Sequence, residues 1–203
     1  GEHDVVRELC AARADAGRVA SGNQTPLLAS SCHGHLEVVR VLCGARVDVD
    51  AAAHDAVTPL HRAAAAGHAR VVAYLAGARA DVDAPAQALG ETPLHRAAAR
   101  GDLEIARCLC AAGANKECAS SDGSTPLAAA LEYGCLEVAK FLCRASADVN
   151  STLRGDRTTP LLLAADLGHT DLVRFFLEEA QVDVNARRLD GKTLVGILRD
   201  KGQ

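Results

Sequence analysis

The triplet Thr-Pro-Leu occurs at Thr25, Thr58, Thr92, Thr125 and Thr159, at intervals of 33, 34, 33 and 34 residues. A fixed period of this size marks a chain built from stacked copies of one small unit. Each copy is too short to bury its own apolar side, so copies must lean on their neighbours. The clearest copy, from Thr92 to Asn115, reads TPLHRAAARGDLEIARCLCAAGAN.

Local physical chemistry turns that copy into a helix pair. The Thr92 hydroxyl is suited to capping the first free amides of a helix, and Pro93 sits at the first helical position, where its missing N–H costs nothing. Leu94, Ala97 and Ala98 follow at helical spacing, and the alanines let a neighbouring helix come close. Gly101 ends the short helix, because glycine takes a positive φ without penalty. A second amphipathic helix then carries Leu103, Ile105, Ala106, Leu109 and Cys110 on its apolar positions, and Gly113 closes it.

The motif Thr-Pro-Leu-His-x-Ala, a mid-unit Gly and a helical run ending in Gly/Ala-x-Asp/Asn resemble the ankyrin repeat. Thr58-Pro59-Leu60-His61-Arg62-Ala63 and Thr92-Pro93-Leu94-His95-Arg96-Ala97 match its opening motif without a gap. The resemblance implies an all-α solenoid of stacked helix-turn-helix units with short β-hairpin fingers, forming a single array over residues 1–203. Five full repeats are expected, over about 19–50, 51–83, 84–117, 118–150 and 151–185. Residues 1–18 read as a half repeat, since Gly1 aligns with Gly34, and residues 186–203 as a degenerate copy lacking the Pro. With no Met anywhere, the sequence reads as a piece of a longer protein, and its first helix is expected to fray.

The motif Thr and the closing Asp or Asn are 23 residues apart in four copies and 24 in the fifth, where the segment Glu178–Gln181 adds one. Most length variation falls instead in the connectors, as expected of exposed loops.

Composition narrows the function. Apolar residues make up 49% of the chain but aromatics only 2%, so the core must be Ala, Leu, Val and Cys, which suits thin, closely stacked helices and not a large ligand pocket. The net charge is -4 and its two halves are alike, so nothing predicts a nucleic-acid footprint. No apolar run approaches the roughly 18 residues of a membrane span, and no signal peptide opens the chain.

Cys10, Cys43, Cys110 and Cys143 occupy one slot of the second helix that elsewhere holds Ala76 and Leu177. A slot that accepts all three residue types is a packing position, and free Cys behaves there as a small hydrophobe. Cys108-Leu109-Cys110 lacks the usual spacing of zinc-ligand pairs. No metal or other cofactor is expected, and a reducing compartment, cytoplasmic or nuclear and not secreted, follows.

Little here points to catalysis. His61 and His95 are candidate bases, but the resemblance gives this His a role in hydrogen bonding between repeats. His35, His68 and His169 follow the mid-repeat Gly without a recurring nucleophile beside them. The pairs Asp48/Asp50 and Asp81/Asp83 read as turn residues that satisfy local amides. No phosphate-cradling glycine loop occurs.

What remains is a surface. In an ankyrin-like stack, the finger tips and the residues before the mid-repeat Gly face one concave side. The partner-binding candidates are therefore His33 in the first repeat, His54, Asp55 and Val57 in the second, and Glu91 and Arg100 in the third. Asp122, Ser124, Glu132 and Tyr133 follow in the fourth, Arg154, Arg157, Asp166 and Leu167 in the fifth, and Lys192 in the last copy. Gln24, Cys32, Gln87 and Leu189 share these positions. Tyr133 is the best anchor, since aromatic and Arg residues dominate interface energetics.

The leading reading is a protein-binding module for a partner protein or peptide, without a small-molecule substrate. Two alternatives are a regulatory or targeting array of a larger enzyme or membrane protein whose active domain lies outside this span, and a spacer whose groove binds nothing. In resembling repeats, the position of Asn150 and Asn185 is one that an asparaginyl hydroxylase modifies.

Overall fold

Wherever the sequence writes Thr-Pro, the chain turns into a helix. The computed structural model describes residues 16–17, 19–20, 23–86, 89–153 and 157–201. Among these, eleven helices follow in order: α1 (Pro26–Cys32), α2 (Leu36–Gly44), α3 (Pro59–Ala66), α4 (Ala69–Gly77), α5 (Pro93–Arg100), α6 (Leu103–Ala111), α7 (Pro126–Glu132), α8 (Leu136–Arg144), α9 (Pro160–Leu167), α10 (Thr170–Glu179) and α11 (Leu194–Asp200). The helix of the expected half repeat, Cys10 with it, and the finger residues Gln87 and Arg154 lie outside the described residues.

Odd-numbered helices up to α9 are the inner members of each pair and even-numbered ones the outer. The hydroxyls of Thr25, Thr58, Thr125 and Thr193 accept the backbone N–H of Leu28, His61, Ala128 and Gly196 at 3.1–3.4 Å, which satisfies one orphan donor at each helix start. Thr159 departs from this: its side chain caps nothing, and its buried Oγ1 has no hydrogen-bond partner.

The mid-copy glycine answers two demands at once. Gly34 and Gly134 have φ of +74° and +66°, and a Cβ on either would lie 2.6 and 2.9 Å from the rings of His68 and His169 in the next copy. Only glycine meets both the left-handed turn and this approach. The His68 ring is held in place, its Nε2 lying 3.0 Å from the Cys32 carbonyl.

Each connector closes into a finger through a backbone rung across its base. Ala53 N–H donates to Val57 O, Ser120 to Ser124 and Arg188 to Lys192, each four residues on, whereas Ala86 donates to Glu91 and Leu153 to Thr158, five residues on. The two longer connectors thus take up their extra residue inside the finger. The residue two before the motif Thr is left-handed throughout: Asn23, Ala56, Gly90, Gly123, Arg157 and Gly191 all have φ between 54° and 80°.

At the finger bases the Asp and Asn side chains build a ladder. Asp48, Asp81, Asn115, Asp148 and Asp183 each accept the backbone N–H two residues on, at 2.9–3.0 Å. The residue two on then reaches the next copy: Asp50 accepts Asp81 N–H, Glu117 accepts Asp148 N–H, and Asn150 accepts Asp183 N–H while donating to Gln181 O.

By internal contacts the chain forms two compact units, one extending to Ala97 and including Glu104–Ala114, the other comprising Ala98–Leu103 and residues from Asn115 onward. In the first, α1 packs on α3 and α2 on α4; in the second, α9 packs on α7 and α11, and α10 on α8. Ala63, Ala64, Ala97, Ala98, Ala130 and Ala164 are fully buried, and their small side chains let the inner helices approach closely. The shared cysteine slot is half-buried at Cys43, Cys110 and Cys143, at the edge of the core rather than inside it. Burial pushes the Cys143 thiol up to about 12 and raises those of Cys43, Cys108 and Cys135, so these thiols stay protonated and are poor nucleophiles.

Candidate functional site

The motif histidine is buried in both copies that carry it. His61 is 1% exposed. Its Nδ1 accepts the Thr58 backbone N–H at 3.2 Å, and Nε2 lies 2.9 Å from the Glu91 carbonyl of the next copy. The first bond requires an unprotonated Nδ1, so Nε2 carries the proton and donates it to the carbonyl. Burial, more than any neighbouring charge, lowers the His61 pKa. Both ring nitrogens are committed, and the ring is a strut between copies. His95 repeats the first half of the arrangement, its Nδ1 accepting Thr92 N–H at 3.1 Å.

In the first unit the candidates lie at the edge of this frame. His33, just after α1, is exposed; its Nδ1 lies 2.8 Å from Ala29 O and its ring stacks on His35. His54 and Asp55 are exposed at a finger tip, and Val57 is half-buried. Asp55 accepts Val57 N–H and faces Arg62 of α3 at 3.9 Å, while Glu91 meets Arg96 of α5 at 2.8 Å. Neither Arg62 nor Arg96 is among the partner-binding candidates of the sequence. Their signal was an Arg four residues after the motif Thr in two consecutive copies.

In the second unit Arg100 is exposed at the end of α5. Tyr133 follows α7 and Leu167 ends α9, each directly before its mid-copy glycine and 68% and 43% exposed, and Leu189 at a finger tip is 64% exposed. Glu132 is half-buried beside Tyr133. Arg188 from that last finger reaches Asp166 of α9 at 3.2 Å, which brings a finger and an inner-helix end onto one face. Arg157 is exposed at the left-handed finger position, and Lys192 pairs with Asp200 at 2.8 Å. That bond raises the Lys192 pKa.

Two candidates turn out to serve the finger itself. Ser124 is 7% exposed, its backbone N–H bonding to Ser120 Oγ and Asp122 Oδ1. It belongs to the finger's frame and not to its surface. Asp122 is exposed but also accepts the Ser120 hydroxyl at 2.6 Å. The sequence could not distinguish these roles, because Ser and Asp suit both a finger tip and a local turn.

Among the described residues, no group of three His, Cys, Asp or Glu side chains is placed to hold a metal ion, and no helix is long and apolar enough to cross a membrane. The family model for ankyrin repeats in three copies matches residues 1–86 and 79–153, and the single ankyrin repeat model matches residues 156–189. No curated protein matches the sequence at a significant level.

Proposed function

The chain belongs to the ankyrin repeat family, whose repeats are generally non-catalytic protein–protein interaction modules, and from that premise we propose that it binds a partner protein or peptide through its finger tips and inner-helix ends. The observation that carries this reading is the contrast within each copy. Thr125, Pro126 and Leu127 are buried, while Tyr133, which caps the other end of α7, stands 68% exposed. An aromatic left in solvent on a rigid frame offers a large contact area at little entropic cost.

In the second unit Tyr133 and Leu167 are the anchors, and Glu132, the Asp166–Arg188 pair and Arg157 supply polar selectivity. In the first, the Asp55–Arg62 and Glu91–Arg96 pairs, with His33 and His54, supply the polar contacts. The module acts in a reducing compartment, consistent with its half-buried thiols.

Affinity capture with the chain and with Tyr133→Ala, Arg157→Ala tests this assignment. Loss of a defined set of proteins from the variant is the expected result. Equal recovery of the same proteins by both would remove these residues from the binding face.

A further inference from the structure

Gly34 is the one mid-copy glycine with a histidine on both sides, in the run Cys32-His33-Gly34-His35. His33 caps the end of α1 and His35 the start of α2, and the left-handed turn at Gly34, with φ of +74°, brings the two side chains together. Both residues are exposed, and their rings lie 5.9 Å apart between centres with planes within 9° of parallel.

A hydrogen bond fixes the chemistry of the first ring. Nδ1 of His33 lies 2.8 Å from the Ala29 carbonyl, and since a carbonyl only accepts, Nδ1 carries the proton. Nε2 then holds the open lone pair. A ring N–H given to a backbone carbonyl is the support that metal-binding histidines carry: it sets the tautomer, orients the ring and makes the other nitrogen more basic. The other histidines of this unit are differently engaged. His61 commits both nitrogens within the frame, and His68 places Nε2 on the Cys32 carbonyl while its Nδ1 edge packs over Gly34. The nearest charged side chain along the sequence from the pair is Glu37, an acid, so no cation within the turn opposes a positive ion.

We propose that His33 and His35 form a binding site for a divalent transition-metal ion of the zinc type, with His33 Nε2 as the oriented ligand, His35 as the second and water at the remaining positions. Two imidazoles bound to one ion at about 2.0–2.1 Å have ring centres roughly 5 Å apart, so a closing of roughly 1 Å between two exposed side chains completes the pair. Imidazole selects such ions over Mg²⁺ and Ca²⁺, which prefer oxygen. Among the described residues no third His, Cys, Asp or Glu is placed to join a metal group, so the site is open and exchangeable rather than a structural centre. It stands apart from the partner-binding reading and does not depend on it.

The test is a titration of the whole chain with Zn²⁺, followed by nitrogen NMR of the individual imidazoles, which separates this pair from every other ligand in the chain. Saturable shifts of both rings are expected, the larger one at His33 on Nε2. In His33→Gln the His35 ring, and in His35→Gln the His33 ring, should require about tenfold more Zn²⁺ or more, because the remaining imidazole then holds the ion alone. Mg²⁺ should move neither ring. Both substitutions alter exposed side chains, and circular dichroism checks that the variants remain folded. Rings that Zn²⁺ leaves unshifted, or a remaining ring that saturates in both variants at the same Zn²⁺ concentration as in the parent, would overturn the proposal. Equal shifts with Mg²⁺ would overturn it too, because the effect would then be one of ionic strength and not of coordination.

Discussion

Ala56 and Arg157 hold a left-handed backbone position that glycine fills at Gly90, Gly123 and Gly191. A non-glycine residue there costs roughly 1–2 kcal/mol, against roughly 0.5–1 kcal/mol for the extra freedom glycine brings to the unfolded chain. Ala56→Gly should therefore stabilise the protein by about 0.5–1 kcal/mol in guanidinium unfolding. His61 sets the pH behaviour. Its folded pKa lies below the ordinary 6.5 because the ring is buried, so at higher pH it is neutral in both states and contributes nothing. As pH falls through 6.5, the unfolded chain binds the proton first and stability declines, by at most about 1.4 kcal/mol per pH unit from this one group. Unfolding free energies between about pH 7.5 and 5 should show a shallower slope in His61→Gln than in the parent. The motif made His61 legible as a strut, whereas nothing in the sequence marked Ala56 or Arg157 as turn residues, because left-handed geometry is legible only where glycine occupies it.

At the scale of the element, the Thr-Pro start was the strongest sequence signal, yet it hides a difference between copies. Thr125 caps α7, while Thr159 caps nothing and keeps a buried hydroxyl without a partner. Thr125→Val should cost about 1 kcal/mol, and Thr159→Val should be neutral or stabilising by up to about 1 kcal/mol, since it removes an unsatisfied polar group. Equilibrium unfolding of the two variants side by side checks the contrast. The finger-base ladder gives a third case. Asn150→Ala removes one bond to Asp183 N–H and one to Gln181 O, and because the site is exposed the loss should be about 1 kcal/mol, with faster hydrogen exchange at the Asp183 amide. Asp and Asn were readable at these positions as local turn residues. Their reach into the next copy was not, since it depends on how far one copy sits from another. The same gap in information explains Ser124, whose type suits a surface while its bonds hold a turn, and Val195, which follows its motif Thr as the buried leucines do but is 74% exposed.

For the whole molecule, the period marked a stack of copies, because one apolar pattern written at a fixed interval has few other ways to leave water, and the resemblance to the ankyrin repeat supplied its all-α form. What the period could not specify was which variable residues are occupied by the protein itself: Asp55, Glu91, Asp166 and Lys192 all have ion-pair partners, whereas Tyr133, Leu167 and Leu189 present apolar surface to solvent. In the proposed division of labour, the buried Thr-Pro-Leu frames hold the copies together, and Tyr133, Leu167 and Leu189 offer the apolar surface that a partner covers. The most direct test is the guanidinium unfolding of a Tyr133→Ala/Leu167→Ala/Leu189→Ala variant beside Leu127→Ala. Leu127→Ala empties a buried position and should lose about 2–5 kcal/mol, while the triple variant should stay within about 0.5 kcal/mol per site of the parent. A triple variant destabilised as much as Leu127→Ala would show that these side chains belong to the core and contradict the account.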